Sequence, residues 1–207
     1  MSERNEQAHS PAIDPSRLHE EIREKYRQVA ANPAAEYHFF TGRKAADNLG
    51  YRSSLLDGLP DRVVEAFAGV ANPFHWGPAS EGETVVDIGS GAGLDSVIAA
   101  RDVGPGGKVI GVDMTSDMLE RARRSAEELS LDNLEFLEGR AEELPIPDSS
   151  VDLVISNGVL NLVPDKVGAY REIHRVLKPG GRLQVADIVV DKPIPEGTQR
   201  NIDLWTG

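Results

Sequence analysis

The sequence predicts an α/β fold in which helices cover both faces of a doubly wound parallel sheet. Three observations carry that expectation. From Thr84 onward short β-branched runs alternate with helical patterns, a glycine-rich turn follows the first run, and a carboxylate closes the second. The predicted strands are residues 84–88, 108–112, 134–137, 152–156 and 182–190, with helices over 94–103, 116–129 and 165–177 between them. Lys178-Pro179-Gly180-Gly181 is a strong stop for the last helix.

The chain before residue 81 reads differently. Residues 1–14 are polar and aperiodic, as in a disordered tail. Ser16 is placed to cap a helix reaching about residue 31, with Leu18, Ile22, Tyr26 and Val29 on one face, and Asn32-Pro33 stops it. A second helix is expected over 60–67, carrying Val63, Val64 and Phe67, and a Gly/Pro/Asn-containing loop over 69–78. The organisation expected is therefore a tail (1–14), a helical extension covering the active site (15–80) and a cofactor-binding core (81–207).

Composition narrows the function. The 207 residues carry 22 Lys and Arg against 34 Asp and Glu, a net charge of -12. Phosphate neutralisation supplies most non-specific nucleic-acid affinity, so this balance points to a small molecule rather than nucleic acid or an anionic membrane. No stretch approaches the ~20 apolar residues of a membrane span. The first ten residues have no apolar signal core, which makes cytoplasm the default location. The chain contains no cysteine, which removes disulfides, thiolate metal sites and cysteine nucleophiles, and no metal site is expected.

The chemistry concentrates in Val85-Val86-Asp87-Ile88-Gly89-Ser90-Gly91-Ala92-Gly93-Leu94-Asp95, a buried strand, a tight turn and a helix start. A glycine-rich turn lets a ligand approach the backbone, and nicotinamide and flavin proteins use one too. The spacing here is GxGxG rather than GxGxxG, and Asp87 stands two residues before the first glycine. A pyrophosphate gains nothing from that anion, whereas the ammonium and sulfonium of S-adenosylmethionine do. Asp113 ends the second strand, where its carboxylate can accept hydrogen bonds from both ribose hydroxyls.

In each successive motif, residues 84–190 resemble a class I S-adenosylmethionine-dependent methyltransferase. The resemblance implies a Rossmann-like sheet of order 3-2-1-4-5. It implies S-adenosylmethionine held by Asp87, Gly89, Ser90, Gly91 and Gly93, with ribose on Asp113 and adenine against Met114. Many relatives carry an acid after the glycine of Glu138-Gly139, where Arg140 stands here, so the Ala141 amide and Glu142 carboxylate become the adenine-edge candidates. Ser156 and Asn157, ending the fourth strand, complete the set. The Asn/Asp-Pro-Pro-aromatic run of base-amine methylating enzymes is missing.

More narrowly, the chain resembles the arsenite methyltransferase family. The phrases that carry this are Val109-Ile110-Gly111-Val112-Asp113-Met114-Thr115, the run from Ser156 to Lys166, Leu177-Lys178-Pro179-Gly180-Gly181-Arg182-Leu183, and Ala68-Gly69-Val70-Ala71-Asn72-Pro73. That family holds trivalent arsenic with thiolates at two places that map to Val70 and Gly158. Neither offers a soft ligand, so the expected function is methyl transfer to a small-molecule acceptor other than arsenite. The alternative is a cofactor-binding module or partner subunit without turnover, and a nicotinamide dehydrogenase stands third.

The acceptor pocket is expected between Gly158 and Asn161 on one side and residues 37–43 and 72–76 on the other. His38, His75 and Asn161 are its candidate catalytic groups. Class I methyltransferases usually add an antiparallel strand pair after strand five, and this sequence reaches Gly207 too soon for it. The exposed fifth strand is then expected to pair with a second copy or a partner chain.

Overall fold

The computed structural model of the protein describes residues 14–189 and 191. Helix α1 (Pro15–Ala31) begins two residues earlier than the sequence suggests, because Asp14 rather than Ser16 is the cap. The Asp14 carboxylate accepts from the Arg17 amide at 3.0 Å, and Pro15 fills the first helical position, where a missing N–H costs nothing. Asp14 thus belongs to the helix rather than to the tail, and residues 1–13 lie outside the described ones.

Between α1 and the sheet the chain makes three short helices, α2 (Gly42–Asn48), α3 (Ser53–Leu56) and α4 (Asp61–Glu65), and a 3-10 turn over Pro73–Trp76. The sequence pattern shows only the segment around α4, since helices of one or two turns are too short for a 3.6-residue period to declare itself. Tyr51, Leu56, Val63, Val64 and Phe67 pack into the same apolar core as the first strand and the helix after the glycine turn.

The sheet is built from β1 (Thr84–Ile88), β2 (Lys108–Asp113), β3 (Leu134–Glu138), β4 (Val151–Asn157) and β5 (Leu177–Ala186). All pairs are parallel and the order is β3-β2-β1-β4-β5, as expected from sequence. Helices α5 (Leu94–Val103), α6 (Ser116–Glu128) and α7 (Lys166–Val176) make the crossovers. Period-2 alternation divides the core in two. Val85, Val109, Leu153 and Ile155 face α5 and α6, whereas Val86, Ile88, Ile110 and Val154 face Ala169, Ile173 and Val176 of α7.

Lys178-Pro179-Gly180-Gly181 does end α7, but the chain passes straight into β5, which starts at Leu177 rather than residue 182. The cost is an irregularity: Val151 pairs with Leu177 and Leu153 with Arg182, and Gly180 takes a φ of 84°. β5 ends at Ala186 rather than 190, and Val190 lies outside the described residues. The expectation of a missing hairpin falls on residues 192–207, also outside them, whereas β5, the strand expected to pair with another chain, is described and forms an edge of the sheet. No helix among the described residues is long and apolar enough to cross a membrane.

Strand order reverses between β1 and β4, and the carboxyl ends of β1, β2 and β4 open a crevice there. Helix α1 packs on α6 and lies over that crevice.

Candidate cofactor site

One cavity occupies the crevice, and the glycine turn forms its floor. Gly89 has a φ of 73°, and a Cβ there would fall 2.2 Å from Val159 Cγ2, so both backbone and space demand glycine. Gly91 has a φ of 52°, yet a Cβ there meets nothing within 4 Å. The backbone conformation requires that glycine, and the space above it stands open.

Asp113, half-buried at the end of β2, accepts from the Gly91 amide at 2.9 Å and the Thr115 amide at 2.8 Å. Burial raises its carboxyl above the usual range, and those two donors offset only part of the shift. Asp87 is buried in the same wall and accepts from the Ser96 hydroxyl at 2.6 Å. Asp95, in the first turn of α5, is buried beside it and accepts from the Tyr51 hydroxyl at 2.7 Å and from Asn157 Nδ2 at 3.0 Å. Desolvation raises both carboxyls, and proximity to Asp95 and Asp113 raises Asp87 further. The same burial and the Asp95 charge push the Tyr51 phenol far up.

Among the described residues none of these three carboxylates has an ion-pair partner. The Ser90 hydroxyl, also in the cavity wall, is buried and unpartnered. A buried anionic wall of this kind suits a cation with hydrogen-bonding groups, and it repels a pyrophosphate. These residues therefore fit S-adenosylmethionine. Asp87 and Asp95 would offset its positive charge, Asp113 would be available to its ribose, and Ser90 would offer a donor.

Helix α1 covers the cavity with His19, Ile22 and Tyr26. His19 Nε2 stands 3.0 Å from Glu142 Oε1, and Arg23 Nε donates to the Met114 carbonyl at 3.2 Å. Burial, with Asp113 and Asp187 nearby, pushes the Tyr26 phenol up to about 12. Tyr37 and Phe39 do not reach the cavity. They stack behind Tyr26 in a ladder, with ring centroids 5.5 Å (Tyr37–Phe39) and 6.1 Å (Tyr26–Phe39) apart.

The structure brings Asp87, Gly89, Ser90, Gly91, Asp113, Met114, Ala141, Glu142 and Asn157 together around the cavity. Gly93 and Ser156 lie outside its lining, Gly93 as the cap of α5 and Ser156 with a buried, unpartnered hydroxyl. Asn157 lines the cavity, but its carboxamide is engaged elsewhere. Oδ1 accepts from the Val70 and Ala71 amides at 2.9 and 3.3 Å, and Nδ2 contacts the Ala71 carbonyl, Asp95 and the Tyr51 hydroxyl.

His38 and His75 are exposed and outside the lining, and His75 packs edge-on against Trp76. Asn161 is also outside it, its amide donating to Asp187 and its carbonyl accepting from Lys166. Residues 66–69 line the cavity in place of the expected segments 37–43 and 72–76. His19, Tyr51 and Asp95 are the participants that sequence reasoning missed. Asp95 alone had a signal, its position directly after the glycine turn.

A protein-family model described as a methyltransferase domain matches residues 79–206, and the chain belongs to that family of class I S-adenosylmethionine-dependent methyltransferases. Among its relatives, the arsenite methyltransferase of Halobacterium salinarum is 41% identical over 167 residues, 81% of this chain and 42% of that protein. The demethylmenaquinone methyltransferase of Listeria welshimeri is 41% identical over 125 residues, 60% of this chain and 49% of the relative. Among solved structures, the arsenic(III) S-adenosylmethionine methyltransferase of Chlamydomonas reinhardtii matches with a TM-score of 0.65 and 42% identity, covering 71% of this chain and 51% of that one. The chain thus spans about half the length of these relatives, or less.

Proposed function

We propose that the protein transfers the methyl group of S-adenosylmethionine, in the cytoplasm, to an apolar small-molecule acceptor other than arsenite. The observation that carries this reading is the mixed chemistry of the cavity lining. Asp87, Asp95 and Asp113 share it with the apolar side chains Ile22, Val63, Phe67, Val159 and Leu162.

The two positions at which the arsenite family resemblance would place thiolates adjoin one another. A Cβ on Gly158 would lie 3.2 Å from Val70 Cγ1. A valine and a glycine meet there, and soft trivalent arsenic gains no ligand from either. An apolar organic acceptor, the class to which demethylmenaquinone belongs, gains contact area instead.

When bound, S-adenosylmethionine supplies an electrophilic methyl on a sulfonium. The chain's residues orient and enclose the reaction. Asp113 and the glycine turn would hold the nucleoside end, α1 and residues 66–69 would shield it from water, and Asn157 fixes the loop that carries Val70. No histidine of the segments 37–43 and 72–76 reaches the cavity, so they bring no imidazole base to the acceptor. His19 from α1 is the histidine in the described lining, and it is paired with Glu142.

The test is methyl-labelled S-adenosylmethionine incubated with the full chain and a cell metabolite extract, with a parallel arm of arsenite and glutathione. Label in an apolar organic product and none on arsenic is the expected result. Methylated arsenic would overturn the acceptor assignment, and no transfer to any acceptor would leave a cofactor-binding subunit as the better description.

A further inference from the structure

Asp87 and Asp95 are both buried, both line the same cavity, and their hydrogen-bond donors are neutral. Asp87 has the Ser96 hydroxyl, and Asp95 has the Tyr51 hydroxyl and the Asn157 carboxamide. Two buried carboxylates that share one cavity and have no ion-pair partner among the described residues cannot both ionise cheaply without a cation, so one takes up a proton. Asp95, with two donors, is the better held as an anion. Asp87, with a single hydroxyl donor and Asp113 also nearby, is the one to carry the proton.

The other charged or titratable groups that face this space are Asp113 from β2, His19 and Tyr26 from α1, Tyr51 from the extension, and Arg140 and Glu142 from the loop after β3. His19 is paired with Glu142, and Arg140 with Glu143, so neither side chain serves the pair.

We propose that Asp87 and Asp95 share one proton in the cofactor-free protein and that binding of S-adenosylmethionine expels it, so that cofactor uptake and proton release are one event. This rests on the cofactor reading above. The cation restores the favourable state for two carboxylates, and the proton leaves Asp87 for solvent, which balances the charge. The raised Asp87 carboxyl agrees with this arrangement. The sign follows from linkage. The free protein holds the proton and the complex does not, so affinity rises with pH until Asp87 ionises unaided, by up to about tenfold per pH unit.

Calorimetric titration of the full chain with S-adenosylmethionine in phosphate and in Tris, at one pH near neutrality, reads the proton directly. The expected result is an enthalpy that differs between buffers by close to one proton's ionisation heat, with the dissociation constant falling as pH rises. Asp87→Asn, which mimics the protonated residue, is expected to remove both effects. The unmodified protein decides the matter even if that variant does not fold. Binding with a buffer-independent enthalpy and a flat pH profile overturns the proposal and leaves the cofactor reading standing. Absence of binding at every pH overturns both.

Discussion

Replacing Asp113 by asparagine is expected to weaken S-adenosylmethionine binding by about 10- to 100-fold while barely changing thermal stability. Charge-assisted hydrogen bonds contribute roughly 1.5–3 kcal/mol, and a tenfold change in affinity corresponds to about 1.4 kcal/mol. Asn keeps one acceptor oxygen but loses the anion and the second acceptor that a ribose diol uses. The folding side nearly cancels. Burial raises the Asp113 carboxyl, so ionisation costs the folded state stability, and that cost grows as pH rises through its raised range. The neutral amide removes this cost, and its NH2 group leaves one of the Thr115 and Gly91 amides without an acceptor, a loss of about 1–3 kcal/mol that offsets the gain. Cofactor titration and thermal denaturation of the same variant separate the two effects. Unchanged affinity would remove Asp113 from the cofactor site.

The second large effect is expected at Asn157. Truncation to alanine leaves the Val70 and Ala71 amides, the Ala71 carbonyl and one Asp95 oxygen without their partner. Each buried polar group left unsatisfied costs about 1–3 kcal/mol. Partial relaxation brings the expected loss to about 3 kcal/mol, a fall in melting temperature of roughly 6–12 °C for a domain of this size. Asn157→Asp discriminates further, because it sets a carboxylate where Nδ2 now stands 3.0 Å from Asp95. At mildly acidic pH one of the two carboxyls is protonated and donates to the other. At alkaline pH both tend to ionise and repel. The aspartate variant should therefore lose stability relative to the unmodified protein as pH rises, while the alanine deficit varies less. Equal deficits at both pH values would mean that Asn157 and Asp95 are not coupled.

These two residues mark where sequence reading succeeds and where it stops. Asp87, Gly89, Gly91 and Asp113 are legible because the chemistry is local. A strand, a turn and the end of the next strand bring them together through the fixed geometry of a parallel sheet, and residues 84–88 and 94–103 form elements with those same bounds. The polar network is not legible. Tyr51, Asp95 and Asn157 are separated by 44 and 62 residues, and no periodicity links them. Likewise His19 meets Glu142 across 123 residues, and only the folding of α1 over the crevice makes the pair.

The expectation that residues 37–43 flank the acceptor pocket fails for a related reason. Tyr37 and Phe39 stack behind Tyr26, which lines the cavity from α1. Lys178-Pro179-Gly180-Gly181 reads as a full stop because local propensity says so. Pairing with the buried β4 overrides it and draws the segment into β5.

The central claim is that the crevice is built for a cationic sulfonium cofactor and not for a dinucleotide. It is tested most directly by equilibrium titration of the full chain with S-adenosylmethionine and, separately, with NADH. One saturable site for S-adenosylmethionine with a dissociation constant of about 1–100 μM, in the range common for enzyme ligands, and no displacement by NADH is the predicted result. Saturable binding of NADH with none of S-adenosylmethionine would contradict the account at its base.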